Sequence, residues 1–576
     1  MKLLNLLLIL GFLFHDLNSQ NLLKFEWKFK TGDELAWANS QYDDSQWASI
    51  TAGTNWETQG AGNYDGFAWY RQSIIVSSKN KKEIQSNGGL ILKLGTIDDA
   101  DYTYWNGELI GKNGEMPPNY QGAYDKPREY TIPADKILWD QANLIAVRVF
   151  DAGGGGGIIG EELSCNIRGL EQMIAIEPQF GRNDHLFLEK GAVNIPIRIT
   201  NQMKTPLKGT LTFKLLSDFG EIVKTTQKPI SIKSGSSATI TLEAGLLAPG
   251  FYNATVIYSG ENDNKKMDFS IGVRPEEIVS PTDRPDDFDN YWMRAKRELA
   301  AVDPQFNLIR QDSLCTAEKE VYLVEMRSLG NVLVRGWYTK PVKPGKYPAI
   351  LHVQGYSSVM IPAYAYQGDD MVSFNLNIRG HGNSRDNINP GFPGYMQYNV
   401  NDKELYVYRG AYMDCLRAVD FLSSRDCVDT ARIAVEGGSQ GGALSFATAA
   451  LDSRIDLCAP DVPFLSDFKD YFKVAAWPGG EFANYFKEHP EVTEEEIYKT
   501  LSYIDIKNLA PWIKVPVHMS VGLRDATCPP HINFAAYNQL QTEKEYKIYP
   551  FAGHGLPSEN YELKMTWIKK HFGLLE

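Results

Sequence analysis

Between about residue 171 and residue 275, apolar and polar residues alternate almost one by one. Val193-Asn-Ile-Pro-Ile-Arg-Ile199, Gly209-Thr-Leu-Thr-Phe-Lys-Leu215, Ala238-Thr-Ile-Thr-Leu242 and Asn253-Ala-Thr-Val-Ile-Tyr258 each put every second side chain on one face. That is the signature of a strand with one face buried. Turn residues at near-regular intervals predict an immunoglobulin-like β-sandwich over 171–275. Upstream, over 21–170, short β-rich runs such as 90–94 and 146–150 are broken by Gly, Asn and Asp turns, which predicts another sandwich. Downstream the rhythm changes. Tyr347-Pro-Ala-Ile-Leu-His-Val353 and Val515-Pro-Val-His-Met-Ser-Val521 are apolar runs suited to strands covered on both faces, 546–549 is another strand-like run, and 443–451 is Ala-rich and helical in character. The Pro- and Asp-rich stretch 275–285 makes a natural hinge, so 276–576 reads as an α/β domain behind two β-sandwiches.

The ends and the composition refine this picture. Residues 1–20 carry one lysine, an apolar run over 3–14 and small polar residues ending Asn18-Ser19-Gln20, the form of a secretory signal peptide. Its apolar run is short of the roughly 20 residues a spanning helix needs. No cysteine precedes Cys165, so a lipoprotein anchor has no acceptor, and a periplasmic or secreted protein without a membrane anchor is expected. A chain of 576 residues with 43% hydrophobic and 22% charged residues fits about three globular domains. The net charge of −13 disfavours nucleic acid, whose phosphates it would repel. The six cysteines show neither C-x-x-C nor zinc spacing, and no metal or cofactor is expected for the chemistry.

The chemistry is concentrated at Val435-Glu-Gly-Gly-Ser-Gln-Gly-Gly442. A strand-like run leads into G-x-S-x-G and a helix-like run leaves it, the arrangement that lifts a nucleophilic serine above the sheet of an α/β-hydrolase. Ser439 is therefore the candidate nucleophile. In that fold the acid and the histidine follow the serine in chain order, each past a strand tip. Asp525, after 515–521, and His554, after 546–549, meet that condition: Asp525 would hold the imidazole and His554 would take the serine proton. The backbone N–H groups of Gln440 and of Tyr356, in the loop after 347–353, are the candidate oxyanion donors. For Tyr356, packing beneath the cleft is the alternative. Cys528, near Asp525, reads as packing.

Further motifs carry a family resemblance. Arg284-Pro-Asp-Asp-Phe-Asp-Asn-Tyr-Trp292, Arg379-Gly380, Gly438-Ser-Gln-Gly-Gly442, Asp461-Val-Pro-Phe464, Thr500-Leu-Ser-Tyr503, Asp525-Ala-Thr-Cys-Pro-Pro530 and Phe534-Ala-Ala-Tyr-Asn538 together resemble carbohydrate esterase family seven, the acetyl xylan esterase and cephalosporin-C deacetylase group. The resemblance implies a metal-independent serine esterase that removes acetyl groups from sugars, with acetylated oligo- or polysaccharide as substrate. It also implies a homo-oligomer, which the extra N-terminal modules could obstruct. The sequence departs from the family at His381, where Gln is usual, at Gln354, where His is usual, and at Gly555, where Glu is usual. These departures bear on the substrate pocket and subunit contacts, not on the candidate triad.

Seven of the twelve tryptophans lie in the first sandwich. Its segments Tyr64-Asp-Gly-Phe-Ala-Trp-Tyr70, Leu94-Gly-Thr-Ile-Asp-Asp-Ala-Asp101 and Trp105-Asn-Gly-Glu-Leu-Ile-Gly111 resemble the sugar-binding jelly roll of glycoside hydrolase family two. Exposed tryptophans stacking on sugars, or indoles filling a core, are the two readings of that abundance. The glycine run 153–157 lacks the frame of a phosphate-binding loop. The aromatic-rich segment 467–510 is expected to form a helical cap. For the whole chain, the alternatives to a carbohydrate esterase are a non-catalytic carbohydrate-binding scaffold, or another α/β-hydrolase such as a dienelactone hydrolase or a peptidase.

Overall fold

The computed structural model describes residues 21–575 apart from 63, 161, 262–263 and 363–369. Residues 1–20, where the sequence suggests a signal peptide, lie outside the described residues. Among the described residues no helix is long and apolar enough to cross a membrane.

The front of the chain forms two facing antiparallel sheets. One has six strands, in the order Ala48–Thr51, Glu26–Thr31, Gly66–Ile75, Ala142–Asp151, Ala100–Trp105, Glu108–Asn113. The other carries Leu163–Ile167, Gly89–Asp98 and Pro127–Pro133, with Gly157–Ile158 pairing on Gly89–Asp98. The tryptophans correct one expectation. Trp27, Trp37, Trp47, Trp56, Trp69 and Trp105 are all buried, so they cannot stack on a glycan. Trp27, Trp56 and Trp105 fill the space between the sheets with Tyr70, Leu92 and Val147, while Trp37, Trp47 and Trp69 form a separate aromatic cluster. Each large ring removes 150–250 Å² from water, which makes indoles efficient filling for a thin sandwich. Only Trp139 of the seven is half-buried.

The middle segment pairs a three-stranded sheet (Ile174–Pro178, Ala192–Asn201, Ser237–Leu246) with a five-stranded one (Leu186–Phe187, Asn264–Val273, Gly250–Ser259, Leu207–Ser217, Ile222–Ile232). The alternating residues do what their period requires: Val193, Ile195, Ile197 and Ile199 point inward against Leu211, Phe213 and Leu215.

The last part is built on a nine-stranded sheet. Asn307–Arg310, Lys319–Ser328 and Val332–Pro341 lead antiparallel into Val372–Asn377; from there Tyr347–Val353, Val428–Gly438, Leu457–Asp461, Val517–Gly522 and Lys544–Tyr549 run parallel. The inner parallel strands are almost entirely buried because helices such as Val407–Ser423, Gln440–Leu451 and Glu559–His571 cover both faces, whereas the edge strand Lys544–Tyr549 is only partly buried. Segment 467–510 folds into the helices Phe468–Val474, Gly479–Glu488, Glu494–Ile504 and Ile506–Leu509. The middle sandwich packs on this domain: Phe251 meets Phe534 at 5.5 Å, and the Asn538 amide donates to the carbonyls of Pro275 and Ile278.

Candidate active site

Ser439 sits between the strand Val428–Gly438 and the helix Gln440–Leu451 with φ 59° and ψ −119°. A side chain with Cβ is strained in such a conformation, so the neighbours must hold it. Its N–H donates to Asp461 O at 2.9 Å, and its carbonyl accepts from Phe464 N–H at 3.0 Å. The flanking glycines are a steric requirement. A Cβ on Gly437 would lie 2.4 Å from the Val353 carbonyl, and one on Gly441 would lie 2.2 Å from it.

Beneath the turn lies a buried ion network that the sequence did not signal. Lys564 Nζ reaches Glu436 Oε2 at 2.5 Å and Asp461 Oδ2 at 2.6 Å, and His352 Nδ1 also meets Glu436. Burial opposes the Glu436 charge, but Lys564 and His352 outweigh it and hold the carboxyl well below its usual range. The network ties the last helix to the residues on either side of the serine. A lone lysine on an otherwise ordinary helix gives no clue to such a partner.

Asp525 and His554 come together although 29 residues separate them: His554 Nδ1 is 2.8 Å from Asp525 Oδ2. The other carboxylate oxygen of Asp525 accepts the N–H groups of Thr527 and Cys528, each at 2.8 Å, which fixes its orientation. Asp525 is buried, while the His554 side chain is 35% exposed. Ser439 and His554 line one cavity of about 290 Å³, together with Asp461, Val462, Leu556 and Tyr561. Cys528 Sγ lies 3.9 Å from Ser439 Oγ, and burial pushes its thiol pKa up, so it stays protonated.

Gln440 and Tyr356 flank the serine from the other side. Gln440 is fully buried and opens its helix, where first-turn N–H groups have no intrahelical acceptor. Its side chain is a junction. Tyr408 donates to Oε1 at 2.8 Å, while Nε2 lies 3.4 Å and 3.5 Å from the carbonyls of Gln354 and Gly355 and 3.1 Å from His381 Nε2. Burial depresses the His381 pKa to about 4, so the ring is neutral and its Nε2 can accept that amide proton. Arg379, paired with buried Asp414, anchors the loop carrying His381. The Tyr356 ring packs against Phe392 and Trp477, at 4.8 and 5.3 Å between centroids, and Phe464 stacks on Trp477. The Tyr356 ring thus belongs to an aromatic cluster with Phe392, Trp477 and Phe464.

A mostly parallel sheet in this order, with a strained serine at a strand–helix turn beside an acid–histidine pair, defines an α/β-hydrolase. The acetyl xylan esterase (AXE1) family model matches residues 276–571, just over half of the chain, and the chain belongs to that family. It is a carboxylic ester hydrolase. The acetyl esterase Axe7A of Xylanibacter ruminicola is 29% identical over 362 residues, 59% of this chain and 81% of the relative. Acetyl xylan esterase 1 from Thermoanaerobacterium sp. JW/SL YS485 is 32% identical with a TM-score of 0.48, over 51% of this chain and 96% of its own. A β-glucuronidase from Bacteroides uniformis overlays 96% of this chain and 57% of its own at 14% identity and a TM-score of 0.32, a likeness too remote to carry an assignment.

Proposed function

We propose that this chain is an exported serine esterase that removes O-acetyl groups from carbohydrates through an acyl-enzyme. Ser439 attacks the acetyl carbonyl while His554 takes its proton, and Asp525 holds the imidazole and stabilises its charged form. The N–H groups of Gln440 and Tyr356 receive the oxyanion. As the C–O bond breaks, His554 protonates the departing sugar oxygen to give the free hydroxyl, and water repeats the cycle on the acetyl-enzyme. The observation that carries this reading is the 2.8 Å Asp525–His554 contact on the cavity that also holds the strained Ser439. An acyl pocket bounded by the aromatic cluster of Tyr356, Phe392, Trp477 and Phe464 is part of this proposal and would favour a small acyl group. Each added methylene should weigh only about 1–3 kcal/mol, so chain-length selectivity should be graded.

We also read three domains, 21–170, 171–275 and 276–576, with a jelly-roll-like first module and an immunoglobulin-like spacer, after a signal peptide that directs export. Replacing Ser439 by Ala tests the chemistry. Turnover of p-nitrophenyl acetate should fall by about 10⁴–10⁶-fold with the circular dichroism spectrum unchanged. A variant retaining more than a few per cent of wild-type turnover would reassign the nucleophile. If the first module targets polymer, removing 21–170 should spare p-nitrophenyl acetate turnover and lower acetate release from acetylated xylan, because a tethered binder raises local substrate concentration without touching the chemistry.

A further inference from the structure

Among the described residues, three groups of His, Cys, Asp or Glu each bring three donor atoms within 4.8 Å of one another. One is Asp525–Cys528–His554, already part of the cleft. In a second, Asp467–Asp470–His531, the histidine faces carboxylates with both ring nitrogens: Nδ1 on Asp218 at 2.9 Å and Nε2 on Asp470 at 3.6 Å. The third, Asp98–Asp99–Asp151 in the first sandwich, holds carboxylates only.

This third group is built by two strand ends and a glycine run. Asp98 closes Gly89–Asp98 and Asp151 closes Ala142–Asp151; the chain then turns through Gly153–Gly157. Asp151 is completely buried; its Oδ1 accepts the Gly153 N–H at 2.8 Å, whereas its buried Oδ2 has no hydrogen-bond partner. Asp99 is 8% exposed, and its Oδ2 accepts the Ala152 N–H at 2.9 Å. Across the glycine run, Glu57 Oε1 accepts the Gly156 N–H at 3.0 Å while its buried Oε2 is also without a partner. The glycines allow this closeness: a Cβ on Gly156 would lie 2.5 Å from Asp151 Oδ2 and 2.3 Å from the Trp56 ring. The guanidinium of Arg128 is already engaged by Asp101 at 2.8 Å and by the carbonyls of Ala123, Ile97 and Asp99.

Burying several carboxylates together is expensive unless a positive charge compensates, and an unpartnered buried oxygen adds a further cost. We propose that Asp98, Asp99 and Asp151, with Glu57 beside them, bind a calcium ion that stabilises the first sandwich. The donor type fits: calcium takes carboxylate and carbonyl oxygens at 2.3–2.6 Å, so oxygens on opposite sides of one ion lie about 4.6–5.2 Å apart. Three oxygens within 4.8 Å of one another can share one such ion. Magnesium is the weaker candidate because it demands near-octahedral geometry and gives up water reluctantly.

The test uses the full-length mature protein freed of metal with EDTA. Calcium chloride at about 1 mM, the range of extracellular calcium modules, should raise the unfolding midpoint, and magnesium should do so less. Isothermal titration should give one calcium per chain. Terbium should bind competitively with calcium and luminesce on excitation of the tryptophans, since Trp56 packs beside the site. Asp98→Asn and Asp151→Asn should each weaken calcium binding by about tenfold or more, with p-nitrophenyl acetate turnover of the calcium-loaded and EDTA-treated enzymes equal. Asp98 is half-buried and at the surface side of the group, so its variant answers the question should Asp151→Asn fail to fold. No heat and no midpoint shift at millimolar calcium would overturn the proposal. So would wild-type calcium affinity in Asp98→Asn.

Discussion

Two histidines in the hydrolase domain sit on aspartates and have opposite fates. His554 has Asp525 on Nδ1 and the rest of its ring on a cavity shared with Ser439. His531 lies in the seam with the middle sandwich, 7% exposed, with Asp218 from that sandwich on one nitrogen and Asp470 on the other. Burial disfavours the His531 charge, but the hydrogen bonds that the ring donates to both aspartates outweigh it and push its pKa up to about 9. A ring committed on both sides keeps its proton and becomes a clasp. A ring held by one acid and open on the other side can exchange a proton. On the proposed mechanism, what separates base from clasp is the second nitrogen, since both rings have an aspartate on the first.

The comparison breaks most sharply at the rings themselves. His554→Ala should lower turnover of p-nitrophenyl acetate by about 10⁴-fold or more while leaving the unfolding midpoint nearly unchanged, because the ring is partly exposed and packs little. His531→Ala should do the reverse. It strands Asp218 and Asp470 against each other in the seam, costing on the order of 3 kcal/mol of stability with turnover within a few-fold of wild type. Midpoints and steady-state kinetics on both variants would decide it. A catalytic collapse in His531→Ala with an unmoved midpoint would mean that the seam shapes the cleft directly.

A smaller effect follows from pH. His531 binds its proton more tightly in the folded protein, at about 9, than at its ordinary value of 6.5. A raised pKa stabilises the fold fully below about 6.5, and that contribution is lost as pH rises through about 9. The stability gap between wild type and His531→Gln should therefore be constant in mild acid and close between pH 7 and pH 10. A gap independent of pH across that range would show that the imidazole is held by packing instead of charge.

The seam and the site differ in how far the sequence announces them. Strand Tyr347–Val353 coincides with its apolar run, and the turn at Ser439 with its glycines, because burial on both faces and steric crowding each leave a local mark. Asp525 and His554 were legible because chain order and strand tips constrain them. Ile222–Ile232 was not foreseen: it is the edge strand of its sheet, and its polar residues and Pro229 interrupt the apolar alternation. Asp218, Asp470 and His531 come from three distant segments, and nothing local to any of them encodes the meeting. The same holds for Lys564 under the serine and for Asp151 beside Asp98. Charged groups compensated across the fold are invisible to periodicity, and the abundance of tryptophan at the front left both a sugar-stacking surface and a filled core open until burial decided for the core.

The finest of these effects concerns a third histidine, His381, which is completely buried. Its Nδ1 faces the Arg379 carbonyl at 3.4 Å and its Nε2 faces the Gln440 amide at 3.1 Å, so it meets no carboxylate and stays neutral. Gln440 in turn lies against the carbonyls of Gln354 and Gly355, the residues that lead to the Tyr356 N–H. On the proposed mechanism His381 is a positioning residue for the oxyanion loop, through Gln440. Removing it should blunt a transition-state interaction more than substrate binding. His381→Ala should lower kcat by about tenfold with KM little changed, a fraction of the 10²–10³-fold lost when an oxyanion donor is removed outright. His381→Gln, whose side-chain oxygen can accept the same amide proton, should recover most of that loss. Steady-state kinetics on p-nitrophenyl acetate separate the outcomes: if Ala and Gln lose kcat equally, the ring is filling space and does not hold Gln440 in place.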